Sequence, residues 1–206
     1  MNAAARQLHL TNNPAADALL SADANALLIG MVLDQQVPLE KAFTGPSVIA
    51  ERIGGTLDVA AIAAMSEEDF VALCSERPAI HRFPGSMAKR VRQVCQRLVE
   101  VHQGDAERLY AQAGTGAELK AALAALPGFG DQKAAIFTAL LGKQCGVTPT
   151  GWREASSPYG EEGSFLSVAD IVDGESLLRV RTAKQAAKRA AKQSAKQSAT
   201  AGQEDD

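Results

Sequence analysis

Apolar residues recur along the chain at the spacing of helix faces. The run ANALLIGMVLDQQ, from Ala24 to Gln36, is apolar almost throughout and follows Asp23. It predicts a largely buried helix, N-capped by Asp23 and ending in the polar pair Gln35 and Gln36. A second helix is expected from Pro38, interrupted near Gly45-Pro46 and closed by Gly54-Gly55, and a third over Leu57 to Met65. Ser66 is placed to cap Glu67 to Ser75, whose early Glu67, Glu68 and Asp69 suit the positive end of a helix dipole. Another helix starts at Ser86. Met87, Val91, Val94, Cys95, Leu98 and Val101 share one of its faces, and Lys89, Arg90, Arg92 and Arg97 lie mostly on the other.

Thr115 to Glu118 fits a capping box and opens a helix carrying Leu119, Leu123 and Leu126. Pro127-Gly128 must end it, and helical composition resumes at Asp131 and continues through Gly142. Two helices joined by so short a turn form a hairpin, here over about residues 116–142. Thr148 to Gly151 and Ser156 to Gly160 read as loop, and a further helix is expected over Ser167 to Val180. The low-complexity stretch from Thr182 has no apolar stripe to bury and reads as disordered or transiently helical. Residues 1–181 are therefore expected to form the domain and 182–206 a tail.

Composition fits this outline. In 206 residues, 46% are hydrophobic and 4% aromatic, with alanine-rich apolar stretches that favour close-packed helices over sheets. One all-α domain, or two small lobes sharing a core, is the expected result. No apolar run reaches the length of a membrane span and the start of the chain lacks a signal-peptide pattern, so a cytoplasmic location without membrane association is expected. The three cysteines, Cys74, Cys95 and Cys145, are far apart and lack CxxC spacing; they suit buried apolar positions rather than disulfides or a metal site. The net charge is −3, yet seven basic residues face three acidic ones from Arg179 onward. A basic tail is thus joined to an acidic body.

The turn Leu126-Pro127-Gly128-Phe129-Gly130 carries the clearest chemistry. Its glycines let the backbone bend sharply and come close to another molecule, and a helix starting near Asp131 directs free amides outward, which suits a phosphate oxygen. Amides recognise phosphate without net positive charge, so an acidic body is no obstacle. The same Pro-Gly-x-Gly string also serves as a plain interhelical turn.

With Lys133-Ala134 after it and a Gln-Gln helix end upstream, the segment resembles the hairpin LPGxGxxxA of the helix-hairpin-helix (HhH-GPD) superfamily of base-excision-repair DNA glycosylases, which includes endonuclease III and the adenine glycosylases. Leu126 to Ala134 match that signature, and a looser similarity runs from about Asp23 to Gly146. The resemblance implies a helical barrel-like domain with a second lobe, reduced here, made from the N- and C-terminal segments. It implies double-stranded DNA as partner, contacted through Gln35, Gln36, Lys89, Arg90, Leu126, Gly128, Phe129, Gly130, Gln132 and Lys133. Gln35 and Gln36 look like the family element at the gap left by an everted base. A monomer is expected, nucleoid-associated if the source is bacterial.

The family's catalytic signs are altered. An Asp that stabilises charge on the sugar is expected a fixed distance past the hairpin leucine, and counting from Leu126 lands on Thr150. Glu154 and Asp34 are the substitute carboxylates considered first, with Glu161, Glu162 and Asp170 nearby. The Schiff-base lysine of bifunctional members falls on Gln132; Lys133 lies one residue on, about a hundred degrees around a helix, and is expected to reach a phosphate instead. No β-lyase activity follows. Members that carry an iron–sulfur cluster use four late cysteines, and none follows Cys145, so no cofactor is expected. Three readings remain: a monofunctional DNA glycosylase, a DNA-binding or lesion-sensing module that has lost the chemistry, and an α-helical interaction protein without a nucleic-acid role.

Overall fold

A computed structural model describes residues 7–183 together with 185, 186 and 189. It is 64% helical without β-strands among the described residues, an all-α fold as composition predicts. Ten α-helices are defined by name: α1 Pro14–Ala22, α2 Ala24–Leu33, α3 Leu39–Arg52, α4 Val59–Ala64, α5 Glu67–Ser75, α6 Pro84–His102, α7 Ala106–Ala111, α8 Gly116–Ala124, α9 Asp131–Gln144 and α10 Trp152–Ala155. A 3-10 turn follows at Val168–Asp170 and helix again over residues 174–183.

Local chemistry explains most boundaries. Asn13 caps α1, with Pro14 in the first turn where its missing N–H costs nothing. Asp23 closes α1 and caps α2 through Asn25 and Ala26 amides, so the chain bends by 117° between them. All of α2 except Asn25 is buried, which places this apolar helix at the centre of the core. Ser66 caps α5 at Asp69 N, and Thr115 and Glu118 complete the capping box of α8.

Four elements differ from expectation. The α3 helix passes through Gly45-Pro46 without interruption because both residues are buried, and the Leu33 side chain fills the space a Gly45 Cβ needs. Close α2–α3 packing there outweighs the lost backbone hydrogen bond. The α6 helix starts at Pro84, before Ser86, since proline is preorganised for the first turn. Trp152–Ala155, between the two stretches read as loop, is helical. Its tryptophan ring packs where Gly142 leaves room, and its backbone abuts Gly116. The expected helix over Ser167 to Val180 divides into the 3-10 turn and the stretch 174–183. Of the tail, Thr182 and Ala183 are helical, and most of 184–206 lies outside the described residues.

Helices α4 and α5 pack on α6, α6 touches α2 and α7, and α7 bridges to the α8–α9 pair, on which α10 and the 3-10 turn rest. The N-terminal residues Leu8 and Leu10 and the C-terminal Val168, Ile171 and Val180 share one continuous core with them. The two ends of the described chain also meet at the surface, where His9 and Asn12 border Asp173 and Leu177. No single helix among the described residues is long and apolar enough to cross a membrane. Cys74 and Cys95 are fully buried, and burial pushes each thiol up to about 12; Cys145 is half-buried, and none of the three is in a disulfide.

Candidate nucleic-acid interface and cavity

The turn between α8 and α9 is held from inside. Leu126 is buried, the Phe129 N–H donates to the Leu126 carbonyl at 3.1 Å, and the Phe129 ring turns inward to meet Phe137 edge-on at 6.0 Å. Leu126 and Phe129 therefore commit their side chains to the core and offer only backbone outward. Gly128 has φ +83°, a left-handed conformation that glycine adopts freely. Gly130 is extended and exposed, caps α9 without a side-chain bond, and has open space where a Cβ would stand. The first-turn amides of α9 thus emerge at a bare glycine, a geometry suited to a phosphate. Asp131 in that turn pairs with Lys120 at 2.8 Å.

Beside this turn lies the end of α2. The helix stops at Leu33, so Gln35 and Gln36 stand in the turn beyond it, with Gln36 at φ +55°. Three contacts fix Gln35. Its side-chain amide donates to Val32 O at 2.8 Å, Arg90 Nη1 donates to its Oε1 at 2.7 Å, and its carbonyl lies 2.8 Å from His81 Nε2. His81 is buried, and its Nδ1 accepts from the Phe83 N–H at 3.0 Å, which leaves Nε2 to donate to the Gln35 carbonyl. Phe83 itself is 45% exposed, with the Arg82 guanidinium 5.3 Å from its ring centre. Arg90 runs past Gly128, where an added Cβ would meet its Cδ at 3.1 Å. Gln35, His81, Phe83, Arg90 and the hairpin therefore form one connected surface.

Between the end of α2 and the start of α9 opens a cavity of about 490 Å³, bordered by Asp34, Gln132, Lys133, Ile136, Tyr159 and Leu166. Lys133 does not reach outward. Its ammonium donates to Met31 O at 2.9 Å and Val32 O at 3.2 Å, the last-turn carbonyls of α2, and lies 5.7 Å from the Phe129 ring centre. Burial pushes its pKa down to about 8, against the raising effect of Asp34 and with a smaller lowering from Arg90. Gln132 Nε2 donates to the Tyr159 hydroxyl at 2.8 Å.

The remaining predicted residues separate. Glu154 is exposed on α10, in a groove with Lys120 and Asp131, apart from Asp34. Asp170 is paired with Lys143, and Glu161 and Glu162 are exposed. Lys89 pairs with Glu67 at 2.8 Å, and Arg92 donates to Met65 O at 2.7 Å, so the basic face of α6 is partly committed within the protein.

A family model for HhH-GPD superfamily base excision DNA repair proteins matches residues 29–200, most of the chain. The chain belongs to the HhH-GPD superfamily. It is a base excision DNA repair protein of a DNA-binding family. No curated protein and no solved structure gives a significant match.

In this HhH-GPD protein the carboxylates considered from the sequence stand apart. Thr150, at the counted family position, pairs with Thr115 in an isolated bridge and accepts the Gly116 N–H at 2.8 Å, so it secures the start of α8. The cavity carboxylate is Asp34. Sequence reasoning did not single out His81, Phe83 or Tyr159, which carry no motif.

Proposed function

We propose that the protein is a monofunctional DNA N-glycosylase that binds duplex DNA at the hairpin and receives an extruded damaged or mismatched base in the cavity. The reading includes action as a monomer in the cytoplasm, without an iron–sulfur cluster. One observation carries it: Asp34 borders the cavity between the first turn of α9 and the Gln35-Gln36 turn. A carboxylate there faces positive charge as it develops on the sugar when the glycosidic bond stretches.

The other residues support that role. First-turn amides of α9, bare at Gly130, hold a phosphate; exposed Gln36, on the turn that Gln35 anchors, takes the space the base leaves; extrusion costs a few kcal/mol of unstacking, least for a mispaired base. Gln132 stands where bifunctional members keep lysine, and the Lys133 ammonium is bonded to two α2 carbonyls, which opposes nucleophilic attack.

The test uses duplexes carrying uracil, alkylated or oxidised bases, treated with protein and then alkali. Strand breaks are expected only after alkali, and Asp34→Asn should lower the rate at least ~100-fold while duplex affinity is kept. Absence of base release across the panel, or full activity in Asp34→Asn, refutes the reading. A borohydride-stable adduct would assign lyase chemistry to Lys133 and overturn the monofunctional part.

A further inference from the structure

The cavity carries more information than a place for a base. Its polar wall is built from neighbours. Gln132 and Tyr159 share one hydrogen bond, Gln132 Nε2 to the Tyr159 oxygen at 2.8 Å. The Tyr159 hydroxyl proton and the Gln132 carbonyl oxygen then stay available to a ligand. The amide orientation matters: with Nε2 on Tyr159 the Gln132 oxygen is the acceptor, whereas the amide turned over would offer a donor at that position. Next in the chain, Lys133 has three donor hydrogens, two of them directed at Met31 O and Val32 O, which leaves a third. Tyr159, Gln132 and Lys133 thus offer donor, acceptor and donor around one cavity. The rest of the wall is apolar at Ile136 and Leu166, which suits the faces of a flat ring.

We propose that Tyr159, Gln132 and Lys133 read the imide edge of a flipped pyrimidine, its C=O, N–H and C=O series, so that the substrate class is uracil-type bases mispaired with guanine. This rests on the glycosylase reading of the same cavity. The imide is acceptor, donor, acceptor, the complement of the wall. Cytosine has an acceptor at the central position, where it opposes the Gln132 oxygen. Adenine has no carbonyl and presents an amino donor beside a ring acceptor. N7-methylguanine presents acceptor, donor and donor, so its amino group opposes the Lys133 ammonium. Thymine shares the imide edge, and pairing with adenine protects it, because extrusion is cheapest from a mispair.

The test measures binding of the full chain to G-mispaired duplexes whose target sugar carries a 2′-fluorine, which resists bond cleavage. Uracil is compared with N3-methyluracil, which lacks the central N–H, and with N7-methylguanine. Uracil should bind at least ~10-fold more tightly than N3-methyluracil, since the methyl leaves a cavity acceptor unpaired. In Tyr159→Phe and Gln132→Ala that preference should fall below ~3-fold, and two variants guard against one failing to fold. Equal affinity for uracil and N3-methyluracil, or tighter binding of N7-methylguanine, overturns the proposal. Base release on unfluorinated duplexes separates the two readings. Release of alkylated purine or adenine without uracil sinks this inference and spares the glycosylase; a uracil preference in binding with no base released does the reverse.

Discussion

Replacing Gly130 by alanine separates a glycine needed by the fold from one needed by a ligand. Gly130 has φ −114° and ψ 176°, which any residue adopts, and a Cβ there meets nothing within 4 Å. Alanine narrows the unfolded ensemble, a gain of about 0.4–1 kcal/mol, and is a poorer N-cap by a similar amount, so stability should change by less than ~0.5 kcal/mol. The same methyl stands where a phosphate approaches the α9 amides. Loss of one charge-assisted hydrogen bond costs about 1.5–3 kcal/mol, or roughly 10- to 100-fold in Kd.

Gly128→Ala behaves in the opposite way. At φ +83° an alanine costs about 1–2 kcal/mol, and its Cβ presses on Arg90 Cδ at 3.1 Å. For a domain of this size a Tm decrease of about 2–8 °C is expected. Urea unfolding gives the stabilities, and fluorescence anisotropy with a labelled duplex at low and moderate salt gives the affinities. Gly130→Ala with native stability and native affinity refutes the phosphate geometry, and Gly128→Ala as stable as the parent refutes the turn assignment.

Other outcomes follow from the packing and the charges. Gly142→Ala drives a methyl into the Trp152 ring and should cost about 1–3 kcal/mol in denaturant unfolding. Because burial lowers the Lys133 pKa to about 8 from 10.5, the unfolded chain holds the extra proton. Stability of the parent relative to Lys133→Met should therefore rise between pH 8 and 10.5, by urea titration at each pH. His81→Ala leaves the Gln35 carbonyl and Phe83 amide without their partner, and should cost about 1–3 kcal/mol together with duplex affinity in the anisotropy assay. Placing an aspartate at Thr150 should not restore base release to Asp34→Asn. The nine residues of α8 put Thr150, at the start of that helix, about 13 Å from the turn where the cavity lies.

The fold was legible at several boundaries made by chemistry local in sequence, while the Asn13 and Asp105 caps of the short α1 and α7 went unread. Asp23, Ser66 and the Thr115–Glu118 box each act within four residues, and each caps the helix expected of it. Misreadings occur where a distant residue decides. Pro46 breaks an isolated helix, yet α3 continues because Gly45 admits Leu33 from α2. Trp152 looks like part of a polar loop, yet Gly142 and Gly116 leave a bed for it. A glycine that yields to a distant tryptophan has the same sequence signature as one that merely turns the chain.

The site was legible to the same limit. The hairpin is a local string and is found as a string; the carboxylate is not, because α2 and α9 meet across a hundred residues of chain. Asp34 could be named beside the glutamines, but its exposure to a cavity depends on that meeting. Lys133 shows the limit most clearly. Its rotation of about a hundred degrees from Gln132 holds, but a rotation chooses a direction without saying what stands there. The first turn of α9 lies between two walls, Tyr159 on one side and the last carbonyls of α2 on the other. The step from Gln132 to Lys133 therefore exchanges one wall for the other and keeps both side chains at the cavity. A helix start set between two packed elements has two inward faces, so the single-residue shift that removes the family's lysine still leaves an amine beside Asp34.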